Sequence, residues 1–313
     1  MADLLSFDGT GFQFAWDATS LSSFAKCPRY YYYKHLQGWQ SNSQSVHLTF
    51  GGIYAAALEH YHKLLATGVT AEDATREVVL QALVSSWVYD RDETGQPIPG
   101  TGEPWQSLHN TKTRETLIRS IVWYLDHFAE DTTTTLHFAD GRPAVELSFS
   151  MPFGDDDLLY CGHMDRVVEY GGDKFVMDQK TTGSTITEKY FSDFTPDIQM
   201  SGYSWAGAQM FNTPISGVII DAAQIAVGFT RFERGFVHRP AALLEEWYDN
   251  SHRIINEARQ AHTSGNYRMN PTACANYGGC EFRKVCSRHP DHRSNILAAD
   301  FHRRDIWDPM RKR

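Results

Sequence analysis

The chain has 313 residues, 42% of them apolar and 13% aromatic, enough to bury a full core as one large or two small domains, and nothing in the composition suggests disorder. A formal net charge of −9 at pH 7 weighs against an extended nucleic-acid coat, because phosphate neutralisation favours basic surfaces. The opening MADLLSFDGTGFQF has neither a basic n-region nor a continuous apolar h-region, and ISGVIIDAAQIAVGF is interrupted by Asp221 and Gln224. No secretory signal and no membrane span are therefore expected, and the chain reads as cytoplasmic.

Thr19-Ser20 is placed to cap a helix through LSSFAKCPRYYYYKHL, with Pro28 forcing a break or fresh start inside it. GGIYAAALEHYHKLLATG, rich in Ala and Leu and closed by Gly68, predicts a second helix. A third starts at Thr70-Ala71-Glu72-Asp73 and reaches about Val88, and a fourth covers Thr113 to Ala129. RDETGQPIPGTGEPW between them is a loop by its Pro and Gly content. From Ala144 the period changes to that of strands: AVELSFSMPF, LLYCGHMD, RVVEY and KFVMDQKTT. Thr195-Pro196-Asp197 then initiates a helix through Phe211, SGVIIDAAQIAV and FTRFERGFVHR return to strand, and Arg239-Pro240 opens a helix to about His262. These elements predict an α/β protein with a mixed central sheet flanked by helices. Residues 1–140 form a helical N-terminal region, 141–230 a core and 231–313 a C-terminal segment, all in one unit.

The chemistry concentrates between residues 162 and 203. Residues two apart on a strand share a face, so Asp178 and Lys180 in VMDQKTT point the same way. Asp165 closes LLYCGHMD, and the Gly171-Gly172 turn folds it back towards Asp178. Two carboxylates held together repel unless a hard, oxygen-preferring cation, Mg or Mn, sits between them. Such a cation with an adjacent ammonium suits phosphodiester hydrolysis. Gln199 and Tyr203, four apart on a helix, share a face.

Cys27, Cys161, Cys274, Cys280 and Cys286 complete the set of reactive side chains. Cys161, inside an apolar strand, reads as a small buried hydrophobe. The other four occur as KCPRYYYY and CANYGGCEFRKVC, and four thiolates suit tetrahedral zinc or an iron–sulfur cluster. Lys26, Arg29 and Lys34 near the start, with Arg283, Lys284, Arg288, Arg303, Arg304, Arg311, Lys312 and Arg313 near the end, form either a basic groove or, for the last three, a solvated tail. Tyr30 to Tyr33 offer rings for stacking on unpaired bases, although four successive helical positions face all directions and at least two belong in a core. The chain contains no G-x4-G-K-[ST] segment, so unwinding would need a helicase partner.

The blocks Gly162 to Arg166, Val176 to Thr181 and Gln199 to Tyr203 resemble the RecB-like branch of the PD-(D/E)XK nucleases, whose core reads G-h-h-D-R, then h-h-D-x-K-T, then Q-x3-Y. The resemblance implies a restriction-endonuclease-like core and a metal-dependent DNA nuclease, foremost an exonuclease of DNA processing or recombination. The resemblance implies the phage or CRISPR-adaptation type, acting in the host cytoplasm if phage-encoded. Asp165 and Asp178, with the backbone carbonyl of Gln179, would bind Mg or Mn; Lys180 would orient the attacking water; Gln199 and Tyr203 would position Lys180 and the DNA backbone. Glu146, in AVELSF, would be an accessory acid on the neighbouring strand; outside the family analogy it is an ordinary exposed strand residue. Several members hold a 4Fe-4S cluster with one cysteine before the core and three after it, a layout that Cys27, Cys274, Cys280 and Cys286 match. The five residues between Cys274 and Cys280 depart from the common spacing, so zinc stays open.

The family also carries a histidine in a segment like F-G-x-x-h-H-x-x-L-E. Here Phe50-Gly51-Gly52-Ile53-Tyr54-Ala55-Ala56-Ala57-Leu58-Glu59 places Ala55 at that position. Natural loss, supply by Glu59, His60 or His62, or deliberate His-to-Ala inactivation account for it, the last being preferred. The contrasting reading is a catalytically impaired DNA-binding or assembly subunit that retains the nuclease fold. Polarity, strand preference and oligomeric state stay open.

Overall fold

A computed structural model describes residues 6–42, 45–154 and 157–311, without the side chains of residues 276–278. Lys312 and Arg313 of the basic tail lie outside the described residues. After the short strand β1 (Ala15–Trp16), helix α1 spans Ala18–Lys26. Its cap is Asp17 rather than Thr19-Ser20: the Asp17 carboxylate accepts from Ser20 N at 2.7 Å and Asp17 N donates to Ser20 Oγ at 3.0 Å, a reciprocal pair that satisfies two helix-end amides. The break foreseen at Pro28 is present. Cys27 is extended at φ −165°, Pro28–Tyr31 restarts the helix, and Tyr32–Leu36 continues it as a π turn.

Strand β2 (Trp39–Ser41) leads to α2 (Val46–Ala66) and α3 (Ala71–Ser85), the latter capped by Thr70, whose hydroxyl accepts from Asp73 N. Then come α4 (Arg114–His127) and the strands β3 (Thr134–Thr135), β4 (Val145–Pro152), β5 (Leu159–Tyr170) and β6 (Asp173–Thr182). LLYCGHMD and RVVEY thus form one twelve-residue strand, because no turn residue separates Asp165 from Arg166. Helix α5 (Ile198–Phe211) carries the chain to β7 (Gly217–Ile225), β8 (Thr230–His238) and α6 (Ala241–Ser264). The short strand β9 (Phe301–Arg303) pairs with β2.

The sheet runs β1-β5-β6-β7-β8, with β3 and β4 also on β5. Adjacent β6 and β7 are parallel, which requires a crossover; α5 supplies it. The pairs β4–β5, β5–β6 and β7–β8 are antiparallel. One face packs on α1, α5 and α6 through Trp16, Tyr160, Val176, Ile220, Met200 and Trp247. The other packs on α2, α3 and α4 through Phe50, Leu58, Val78, Ile121 and Ala223. The result is a mixed α/β, restriction-endonuclease-like core with N-terminal helices.

The tyrosine run is spent internally. Tyr31 and Tyr33 are buried, Tyr32 stacks on Tyr267 at 4.8 Å, and Tyr30 donates to Glu281. Tyr33 packs with Phe282, Val285, Leu297 and Phe301 in a satellite core that joins the early helical segment to the C-terminal one.

Candidate functional site

The β-sheet register sets three acids side by side. Glu146 lies between the paired positions Val145↔Arg166 and Leu147↔Met164, which sets it opposite Asp165. One step beyond the pair Arg166↔Met177, Asp165 is opposite Asp178. Strict face alternation fails here: Met164 and Val167, three apart, belong to the same core cluster, and Glu146 adopts a left-handed backbone at φ 45°. The acids therefore sit where the strands twist, and each carboxylate is drawn to a different neighbour.

Asp178, 2% exposed, lies 2.5 Å from Lys180 Nζ. Lys180 Nζ also donates to Gln199 Oε1 at 3.2 Å, and Gln199 Nε2 donates to Tyr203 OH at 2.9 Å. Asp165 Oδ2 accepts from the backbone N–H of Gln179 at 2.8 Å. Asp178, Lys180, Gln199 and Tyr203 thus form one chain of contacts, with Asp165 close enough to act electrostatically on Lys180 and Tyr203. Burial raises the Asp178 carboxyl above its usual range, against the pull of Lys180. Burial opposes the Lys180 ammonium, but Asp178, its hydrogen bond, Asp165 and Asp197 together lift the lysine above its ordinary value. The lysine is therefore held charged.

Helix α5 reaches this position because Gly202 faces Tyr160: a Cβ there would lie 1.9 Å from the phenol oxygen. Asp197 caps the helix by accepting from Met200 N at 2.9 Å.

Around position 55 the alternatives separate. His60 faces Glu77 on α3 at 3.6 Å, and His62 sits 2.8 Å from Arg166 Nη1. Only Glu59 turns to the acid row: Lys63 Nζ contacts Glu59 Oε1 at 2.5 Å and Glu146 Oε2 at 3.3 Å. Burial and the Glu146 hydrogen bond push Glu59 up to about 7, against Lys63. Lys63 is the member that sequence reasoning missed; its i,i+4 spacing from Glu59 is the available signal.

The Mg or Mn expectation is corrected by this geometry. Among the described residues no group of three or more His, Cys, Asp or Glu side chains could hold a metal ion. Glu146 is turned to Lys63, Asp178 is paired with Lys180, Asp165 is bound to an amide, and Ala55 brings no ligand. These residues do not fit a metal.

The 4Fe-4S cluster, and zinc in its place, are overturned by the same observation. Among the described residues the thiols of Cys27, Cys274, Cys280 and Cys286 form no ligand set. Cys27 Sγ accepts from Asn270 N at 3.3 Å, Cys274 Sγ contacts Asn270 O, and Cys280 and Cys286 pack against the Phe282 cluster. Burial raises the pKa of both Cys280 and Cys286. Cys161 is fully buried, as expected, and burial pushes it up to about 11.

A family model described as PD-(D/E)XK nuclease superfamily matches residues 15–287. The RecB-like branch expected from the three sequence blocks, with the iron–sulfur cluster expected from the cysteine layout, is not supported; the match is to the superfamily. No curated protein matches the chain. Among solved structures, "Putative exonuclease" from Eubacterium rectale aligns at 12% identity and TM-score 0.48, covering 84% of this chain and 86% of that one. A structure named SSO0001 aligns at 12% identity and TM-score 0.25, covering 50% of this chain and 68% of that one. No helix among the described residues is long and apolar enough to cross a membrane.

Proposed function

The chain belongs to the PD-(D/E)XK nuclease superfamily, and from that premise we propose that it hydrolyses phosphodiester bonds in DNA, as an exonuclease or end-processing nuclease of DNA processing or recombination. The observation that carries this reading is Lys180, held charged between Asp178 and Gln199 with Asp165 beside it. In hydrolysis a water attacks phosphorus, one P–O ester bond breaks, and negative charge builds on the phosphoryl oxygens. Lys180 supplies the positive charge for that transition state, and Asp178 and Gln199 fix its direction. Asp165 is the candidate acceptor of the water's proton, and Tyr203 holds Gln199 in register. Unwinding would come from a partner.

The test is digestion of end-labelled linear duplex, single-stranded and circular DNA, with chelator and with divalent ions as separate arms. Linear ends should be degraded and circles spared, and Asp178→Ala and Lys180→Ala should each lower the rate by on the order of 100-fold or more. Undiminished cleavage in both variants would overturn the reading.

A second reading, a catalytically impaired DNA-binding or assembly subunit, is favoured by Ala55 and by the lack of a three-ligand group among the described residues. It expects DNA binding without cleavage. Ala55→His separates the two: cleavage gained only in that variant marks a silenced enzyme.

A further inference from the structure

Behind the acid row, on the α2 and α4 side of the sheet, lies a cavity of about 340 Å³, within the size range of small-molecule sites. Tyr61, Leu125 and Phe128 form apolar walls, Leu65 stands at the rim, and His62, Asp131 and Arg166 form the polar floor. The arrangement, apolar walls over a few convergent polar groups, is that of a ligand pocket rather than a packing defect.

The hydrogen bonds of the floor do not close. Arg234 grips Asp131 with two hydrogen bonds, 2.7 Å and 2.9 Å, and stacks over Phe128 at 3.9 Å. Arg166, 3% exposed, reaches the same carboxylate only at 3.4 Å. Its remaining Nη contacts are neutral: His62 at 2.8 Å, Thr133 Oγ1 at 2.7 Å and Met177 Sδ at 3.1 Å. Its Nε is buried and has no hydrogen-bond partner among the described residues. Burial, and then Arg166, drive His62 well below its ordinary value, so the imidazole adds no charge of its own. Asp221, the other acid nearby, is engaged by Tyr124 and by Arg234 at 3.4 Å. Both carboxylates, Asp131 and Asp221, are thus engaged chiefly by Arg234, and the donor that Arg166 leaves unused is costly on a buried cation.

We propose that this cavity binds a small organic anion, an aromatic or alkyl body carrying one carboxylate or phosphate monoester, with its acid group at Arg166 and its body between Tyr61, Leu125 and Phe128. A planar acid group meets the guanidinium edge that Asp131 leaves under-used, and the walls bury the apolar part. A neutral molecule of the same shape offers the unused Arg166 donor no charged acceptor. The site is independent of phosphodiester cleavage and stands whether or not the chain cuts DNA.

The experiment measures equilibrium dialysis and thermal shift of the full chain at pH 7 with four probes. Two are acids, thymidine 5′-monophosphate and phenylacetate, and two are their neutral counterparts, thymidine and 2-phenylethanol. At least one acid should bind saturably and raise the melting temperature while its neutral counterpart does neither; the acid that binds identifies a phosphate ester or a carboxylate as the natural chemistry. Arg166→Lys removes the Nε donor and should weaken binding on the order of tenfold. Because Arg166 is buried and that variant can fail to fold, Ala66→Phe, which fills the cavity from the end of α2, serves as the second: it should fold and lose binding. The proposal is overturned if neither acid binds, if the neutral probes bind as tightly as the acids, or if Ala66→Phe binds as well as the unmodified chain.

Discussion

Asp178 and Lys180 show how one residue sets the state of another. A buried lysine alone would lose its proton, yet Asp178 at 2.5 Å, with Asp165 and Asp197 further off, keeps the ammonium charged. Glu59 shows the converse. Its side chain is 24% exposed, and burial beside Glu146 raises it to about 7 from the unfolded 4.5. Between those values the unfolded chain releases the proton and the folded chain keeps it, so folding stability falls as pH rises from about 4.5 to about 7. Above about 7 the loss is complete, on the order of 1–2 kcal/mol once partial exposure is allowed for. Glu59→Gln should remove that slope, becoming more stable relative to the parent as pH increases. Urea midpoints of both proteins from pH 4.5 to 8 check this, and parallel curves would refute it.

At the scale of elements, the distance between α5 and β5 decides whether Gln199 reaches Lys180. Gly202 lets the helix lie against Tyr160, and a methyl there would fall 1.9 Å from the phenol oxygen. Gly202→Ala should therefore destabilise by about 1–3 kcal/mol through overpacking and shift Gln199 away from Lys180, lowering cleavage more than Tyr203→Phe does. Urea unfolding and the digestion assay read the two effects separately; an alanine variant as stable and active as the parent would contradict this packing. The helices and strands around this contact were legible in the sequence because their apolar periods are long and their ends carry Asp197, Gly68 or Pro240. Asp178, Lys180, Gln199 and Tyr203 were legible because strand period 2 and helix spacing 4 fix faces. The turning of Glu146 towards Lys63 was not, since it depends on a left-handed backbone at one strand residue. Nor was the Arg166–Asp131–Arg234 network, whose members are 35 and 68 residues from Arg166 in the chain and meet only through the tertiary fold.

For the molecule as a whole, the question is what joins residues near 30 to residues near 270–300. Cysteine layout in the sequence suggests a metal staple. The fold instead uses ordinary packing and hydrogen bonds. Arg29 Nε donates to Tyr267 O at 2.7 Å, Arg29 N donates to Arg268 O at 3.1 Å, and Lys34 pairs with Glu281 at 2.7 Å. β2 pairs with β9, and Phe282, fully buried, stacks on Phe301 at 5.1 Å beneath Tyr33. A staple of this kind responds to loss of apolar volume and not to chelation. Phe282→Ala should cost about 3–5 kcal/mol, the range for emptying a buried aromatic site, and should expose the segment around Arg268 to proteolysis. Incubation with a strong chelator should leave the melting temperature unchanged, and Cys27→Ser should cost about 1 kcal/mol or less, because the Asn270 amide still finds an acceptor in the hydroxyl. Denaturant unfolding of Phe282→Ala and Cys27→Ser, beside a melt with and without chelator, ranks the contributions. A chelator effect as large as that of Phe282→Ala would show that metal–thiolate bonds, rather than this aromatic cluster, close the chain.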